Sequence, residues 1–584
     1  MPTDLRKHAA FEQSNSPDNP MDLDVDPRPV QKQKGVIRLT VETLSTSYLP
    51  RNVDSRPRPR WKTPEFIFYY VAFIIVVPFL FLAPMRLSRD DHPNFPLYQK
   101  RLSSGWIFGR KIDNSDAQYR SFRNNIPALT IISASFFGLQ SIYARAARHA
   151  NPPLSDNILH RIPFLVTFSL LMVTGLHGAS ILKIMFILSI NYSIAKVLGP
   201  SKINPVITWI FNMAVLFANE RNSGYKFASL SPSLAYLDSV QGVHPRWYIS
   251  FNITMLRLVS FNMDYFWASR NSGPRDTGLP LEHKQRTSIG HPTEFYSFVN
   301  YIAYVLYPPL YIAGPIMTFN DFIWQHRRPT SIPSRSVVAT YLVRFIACLL
   351  TMEFVLHYMY VVAIKDASAW KGDTSFELSM IGLWNLIIVW LKLLIPWRFF
   401  RLWALADGVD PPENMIRCVC NNYSTLGFWR SWHRSYSLWT LRYIYVPLGG
   451  TKNRIYTTVL VFSFVALWHD LSFRLLAWGW LVSLFILPEV AAQYFLPASK
   501  YYEEPWYRHV CAVGGVLNTM MMMVANLIGF VIGIEGATYM LKQMLGSFEG
   551  IRFLFTASVC MFIAIQVMFE YREEEMRQGV FRKC

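Results

Sequence analysis

Runs of about twenty apolar residues recur along this chain, and a helix needs about that length to cross a hydrocarbon core of about 30 Å. The clearest are Phe66–Met85, Ile126–Ala144, Ile181–Leu198, Val337–Ile364, Ile381–Trp397, Leu475–Phe495, Val510–Ile534 and Phe553–Phe569. Weaker ones lie at Ile162–Thr174, Val206–Ala218, Trp247–Trp267, Phe298–Phe319 and Ile455–Trp468. Some of these are too short or too polar to span fully. We therefore expect an all-α polytopic membrane protein with about eleven membrane-embedded segments, some of them short and re-entrant. Composition agrees, since only 16% of the residues are charged against about a quarter in soluble proteins.

The formal net charge is +19. Its basic residues are scattered between apolar runs and form no soluble basic domain, which argues against a nucleic-acid partner. Two compatible readings remain. Cytosolic loops obeying the positive-inside bias would take membrane lipid headgroups as counterions, and a cationic mouth would receive an anionic donor. The six cysteines show neither a disulfide framework nor zinc spacing. Residues 1–60 read as a disordered tail, polar and with four prolines between Ser16 and Val30. Arg51, Arg56, Arg58, Arg60 and Lys62 stand against one Asp54 before the first apolar run, which favours a cytosolic tail and an uncleaved anchor. Residues 61–584 read as one membrane domain. Its longest polar stretches are Arg86–Asn125, Glu220–Arg246, Arg270–Glu294 and Lys365–Phe376, and none is long enough for an independent fold. Any chemistry must come from residues in or near the bilayer, in a catalytic region expected at about 300–480.

A charged residue inside an apolar run costs about 2.5–3.5 kcal/mol on insertion scales, so each titratable one is a candidate. They are His177, Lys183, Arg257, Asp264, Glu353, His357, Lys392, His433, His469 and Asp470. Glu353 and His357 are four apart on one helix face, as a mutually satisfied contact between helices or as a site. Arg257 and Asp264 fit packing contacts, and Lys183 and Lys392 fit snorkelling. His469 ends a run of about 14 residues, or about 21 Å of helix, which places it past the midplane but short of the far surface. Trp468 precedes it and Asp470, which either orients it or faces water, follows. Upstream, FWRSWHRSYSLWTLRYIYVPLGG (Phe428–Gly450) adds a second histidine, His433. A neutral imidazole in an apolar cavity suits removal of a proton from a hydroxyl attacking an acyl carbonyl. His433 is then the candidate partner opposite the base. Arg430, Arg434, Arg442, Lys452 and Arg454 fit either the phosphates of coenzyme A or lipid headgroups. No His-x-x-x-x-Asp, phosphate loop or His-Glu-x-x-His motif is present.

FWRSWHRSYSLWTLRYIYVPLGGTKNR followed by FSFVALWHD resembles the signature region of the membrane-bound O-acyltransferase (MBOAT) superfamily. YPPLYIAGPIMTFNDF (Tyr307–Phe322) resembles a second family region, and the likeness runs from Trp61 to Cys584. The resemblance implies an MBOAT fold enclosing a catalytic tunnel, where acyl-CoA and a hydroxyl acceptor meet from opposite sides. It carries the family histidine onto His469 and the partner position onto His433. Trp429, Arg430, Arg434, Arg442, Lys452, Arg454, Trp468 and Asp470 become candidate substrate contacts, and Asn320 either lines the tunnel or caps a helix. For the fungal anchor-remodelling branch it implies transfer of a very long acyl chain to the sn-2 hydroxyl of lyso-GPI-anchored proteins, or related lysolipids, in the endoplasmic reticulum. An animal branch that acylates Hedgehog has a haem-ligating cysteine, for which Cys418 is the candidate counterpart; a buried or palmitoylated cysteine is the other reading. Two other functions are expected to differ in test: a glycerol transporter would work without His469, and a protein acyltransferase would label a polypeptide.

Overall fold

The computed structural model describes residues 47–48, 57–150, 157–270, 283–328 and 334–582. The expected tail, residues 1–60, lies almost wholly outside them. Among the described residues, strands are confined to two ribbons, Ser47–Tyr48 with Val580–Phe581 and Leu102–Ser104 with Lys111–Asp113. Helices make up the rest of the framework: α1 (Pro64–Leu87), α2 (Ala117–Ala150), α3 (Ile162–His177), α4 (Ile181–Leu198), α5 (Ile203–Arg221) and α6 (Trp247–Ser269). Then come α7 (Phe298–Val305), α8 (Pro308–Tyr311), α9 (Phe319–Arg327), α10 (Arg335–Tyr358), α11 (Ser375–Ala406), α12 (Thr425–Ser431) and α13 (Arg434–Thr440). The chain ends with α14 (Arg454–His469), α15 (Phe473–Phe495), α16 (Tyr507–Asn526), α17 (Gly533–Leu545) and α18 (Phe548–Arg577).

Among the described residues, eight stretches are long and apolar enough to cross a membrane; six of the clearest apolar runs lie wholly inside them, while Val337–Ile364 and Val510–Ile534 run past the ends of theirs at Tyr358 and Val531. One, Leu159–Leu198, holds both α3 and α4. Start signals are local: Thr63 accepts from Phe66 N ahead of Pro64 in α1, and Thr374 with Glu377 forms a capping box on α11. Apolar side chains point outward on these helices, as Phe68, Phe73 and Ile74 do on α1, because their solvent is hydrocarbon. Polar ones point inward. Asn191 on α4 bonds Asn262 on α6 and Asn212 on α5 at 2.9 Å each, a hydrogen-bonded seam between three helices.

Two runs read as continuous are divided. Phe298–Phe319 breaks into α7, α8 and the approach to α9. Prolines at 308, 309 and 315 each lack an N–H, and a Cβ at Gly314 would stand 2.5 Å from Leu310 Cα. Val337–Ile364 divides where α10 stops at Tyr358 and a short helix begins at Val361. Most titratable candidates are absorbed by packing. Glu353 receives Trp106 Nε1 at 2.8 Å and pairs with Arg123 at 2.9 Å, while His357 Nε2 accepts from Trp106 N at 3.2 Å. Arg257 donates to Val305 O at 2.7 Å and to Leu310 O. Lys392 pairs with Asp116 at 2.7 Å, Lys183 donates to Tyr225 O, and His177 lies 2.7 Å from His244 O and 3.0 Å from Tyr311 Oη. Among the described residues, the His433 and His469 side chains have no such partners.

Candidate active site

The bend between α12 and α13 is built by sequence-local strain held from outside. His433 adopts φ 42° and ψ 49°, one of four non-glycine residues with positive φ among those described. For an L-residue this conformation costs about 1–2 kcal/mol, so neighbours must enforce it. Asn414 does most of this, its carbonyl accepting from Arg434 N at 3.1 Å and its Oδ1 from Ser435 N at 3.0 Å. Ser435 Oγ in turn accepts from Ile316 N at 2.9 Å, and Ser431 Oγ from Arg417 N at 3.1 Å. Strained residues so held cluster at functional sites.

The bend places the His433 ring in a stack. Trp397 of α11 covers one face at 4.7 Å between ring centroids, and Tyr436 stacks at 5.3 Å. Tyr436 then stacks on Trp468 at 4.6 Å and reaches the His469 ring at 6.5 Å. One tyrosine thus links both histidines. Burial, and after it the nearby His469, pushes the His433 imidazole down to about 3, so it is neutral at physiological pH.

His469 is the last residue of α14, whose sixteen residues span about 24 Å. Trp468 anchors that end: its Nε1 donates to Asn252 O at 2.9 Å, and Asn252 Nδ2 donates back to Trp468 O at 3.2 Å. His469 keeps exposed surface at the end of α14. Asp470 is extended and exposed, with its amide bonded to Ala466 O at 3.1 Å; among the described residues no bond joins it to His469.

The expected substrate contacts divide. Arg442 and Asn320 meet at Asp264: Arg442 pairs with it at 2.8 Å, and Asn320 N donates to it at 3.1 Å. Asn320 Oδ1 also accepts from Tyr296 Oη at 2.7 Å, and Thr318 rather than Asn320 caps α9. Both answer a buried carboxylate, which needs a cation and donors around it. Trp429 packs edge-on against Trp478 at 5.5 Å and Phe462 at 6.0 Å. Arg430 and Lys452 are exposed and Arg434 is half-buried. Arg454 opens α14, with its side chain outside the described residues. Cys418 is exposed in the loop before α12, and hydrogen bonding with the Cys420 thiol pulls it down to about 7. That is the character a thiolate ligand to haem needs.

Sequence reasoning missed Tyr436, Trp397, Asn252 and Asn414. Tyr436 was findable, being one helical turn after His433; the others come from remote helices and loops. Comparison with known proteins fits this site into a family. Residues 221–534 match the MBOAT, membrane-bound O-acyltransferase family, a segment that holds both histidines. The chain belongs to the membrane-bound O-acyltransferase family. It is 45% identical over 570 residues to the membrane-bound O-acyltransferase GUP1 of Saccharomyces cerevisiae, covering 93% of this chain and 100% of that one. It is 40% identical over 530 residues to gup1 of Schizosaccharomyces pombe, covering 89% and 90%. A more distant relative is the protein-cysteine N-palmitoyltransferase HHAT of Mus musculus, 26% identical over 329 residues, 52% of this chain and 63% of that one. This MBOAT protein is thus a multi-pass membrane acyltransferase, moving an acyl group from a donor to a lipid acceptor.

Proposed function

We propose that this O-acyltransferase uses His469 as general base and His433 as its polarising partner. On this reading it transfers a long acyl chain from acyl-CoA to the sn-2 hydroxyl of lyso-GPI anchors in the endoplasmic reticulum membrane. The observation that carries the reading is the pairing of a neutral, strained His433 with an accessible His469 across one tyrosine. His469 takes the hydroxyl proton as the oxygen attacks the thioester carbon, help worth about 10²–10⁴-fold. His433 steadies the charge that develops on the carbonyl. Arg430, Arg434 and Lys452 are the basic residues proposed to hold the donor's phosphates. A haem bound at this site would be held by the Cys418 thiolate and would anchor the loop leading into His433, and no transfer step runs through it.

The test is lipid analysis of GPI-proteins from fungal cells whose only copy is His469→Ala. Lyso-anchors should accumulate while the protein is made and inserted normally. Ordinary diacyl anchors would end the remodelling assignment. Retained glycerol uptake with no acyl transfer defect would favour a transporter, and acyl label on a polypeptide would favour the HHAT-like reaction.

A further inference from the structure

The tyrosine between the two histidines has an unexplained hydroxyl. Tyr436 is 5% exposed, and its Oη is buried without a hydrogen-bond partner. No other tyrosine hydroxyl among the described residues is in that position. Buried phenols elsewhere in the protein are satisfied: Tyr304 donates to Met317 O at 2.7 Å, Tyr301 to Leu188 O at 3.0 Å, and Tyr443 to Asp264 at 2.9 Å. Leaving such a donor unpaired is unfavourable, and an orphan of this kind needs a reason. Its place supplies one, since the ring packs against His433, Trp468 and Trp439 and its centroid lies 6.5 Å from that of His469.

We propose that Tyr436 is a third catalytic residue, whose phenolic O–H donates to the thioester carbonyl oxygen as that oxygen becomes an oxyanion. The proposal rests on the acyl-transfer reading above. The acceptor oxygen attacks the carbonyl carbon and its proton passes to His469. The negative charge moves to the carbonyl oxygen, which accepts from Tyr436 without taking its proton. On collapse the C–S bond breaks, the departing thiolate takes the proton from His469, and the ester and free coenzyme A separate. Burial raises the phenol's pKa above its ordinary value, so it stays a donor throughout. The partner missing from the resting protein is then the oxygen of the reacting acyl group, and a donor pre-set without one is what electrostatic preorganisation requires.

The experiment compares full-length wild type, Tyr436→Phe and His469→Ala in lipid nanodiscs, with stearoyl-coenzyme A and lyso-phosphatidylinositol as probes. A purely structural Tyr436 predicts that Tyr436→Phe is neutral or stabilising, because the lost hydroxyl had no partner. A catalytic one predicts a fall in kcat of about 10²–10³-fold, with KM for the acyl-CoA and the thermal midpoint unchanged or improved. Wild-type kcat in Tyr436→Phe would overturn the proposal. So would a raised KM at unchanged kcat, or a loss of activity matched by a loss of folded protein. Wild-type turnover in His469→Ala would instead overturn the acyl-transfer reading of the site, leaving the two failures distinguishable.

Discussion

At the residue scale, His433 combines backbone strain with a depressed pKa, and each makes its own prediction. Glycine adopts the left-handed conformation freely, so His433→Gly should lower acyl transfer at least about 100-fold without lowering the thermal midpoint. Equal losses of both would assign the residue to folding alone. The folded pKa lies below the ordinary value of 6.5, so the unfolded chain binds the extra proton and stability is lost as pH falls below 6.5. His433→Asn cannot titrate and should therefore lose less stability than wild type between about pH 7 and pH 5, measured by thermal unfolding at matched ionic strength. The residues fall into two groups of legibility. His469 and His433 stand out in sequence because ionisable groups are rare in apolar surroundings. Arg442 and Asn320 look equally suited to a substrate, yet Asp264 takes both, and only the folded arrangement shows that a residue 178 positions away has claimed the guanidinium.

At the scale of elements, the site depends on how α6 grips its neighbours. It holds Trp468 through Asn252 at one point and Arg442 through Asp264 at another. Asn252→Ala should remove one hydrogen bond at the end of α14, costing about 0.5–1.5 kcal/mol, and should lower kcat by loosening Trp468 and His469. Asp264→Ala removes the buried carboxylate that holds Arg442, Tyr443 and Asn320 N, and should cost about 3–5 kcal/mol. Arg430→Ala and Lys452→Ala, at exposed positions, should leave the thermal midpoint unchanged while raising KM for acyl-CoA; an unchanged KM would remove them from the donor site. The long helices were readable from apolar length alone, whereas the breaks at Pro308 and Tyr358 were not placed by hydropathy. Prolines in apolar surroundings keep the run hydrophobic while ending the helix, as the passage from α7 to α9 does.

At the scale of the whole molecule, phenylalanine and isoleucine fill the core and also cover the outer faces, while asparagines pair inside. An arginine in place of Ile74, on the outer face of α1, should therefore reduce membrane insertion by about 2.5–3.5 kcal/mol, read as the fraction of chain integrated. The family was legible in the signature stretch, and the proposed catalytic pair stands in it too, because chemistry confined to a bilayer leaves few residue types able to perform it. The aromatic stack that joins the pair was not, since Trp397 and Trp468 come from helices distant in sequence. The short α14 also sets a limit on the enzyme's fidelity. On the proposed role, an exposed base at the end of α14 can take a proton from water as well as from an alcohol, so the thioester should be hydrolysed slowly whenever no lysolipid is bound beside it.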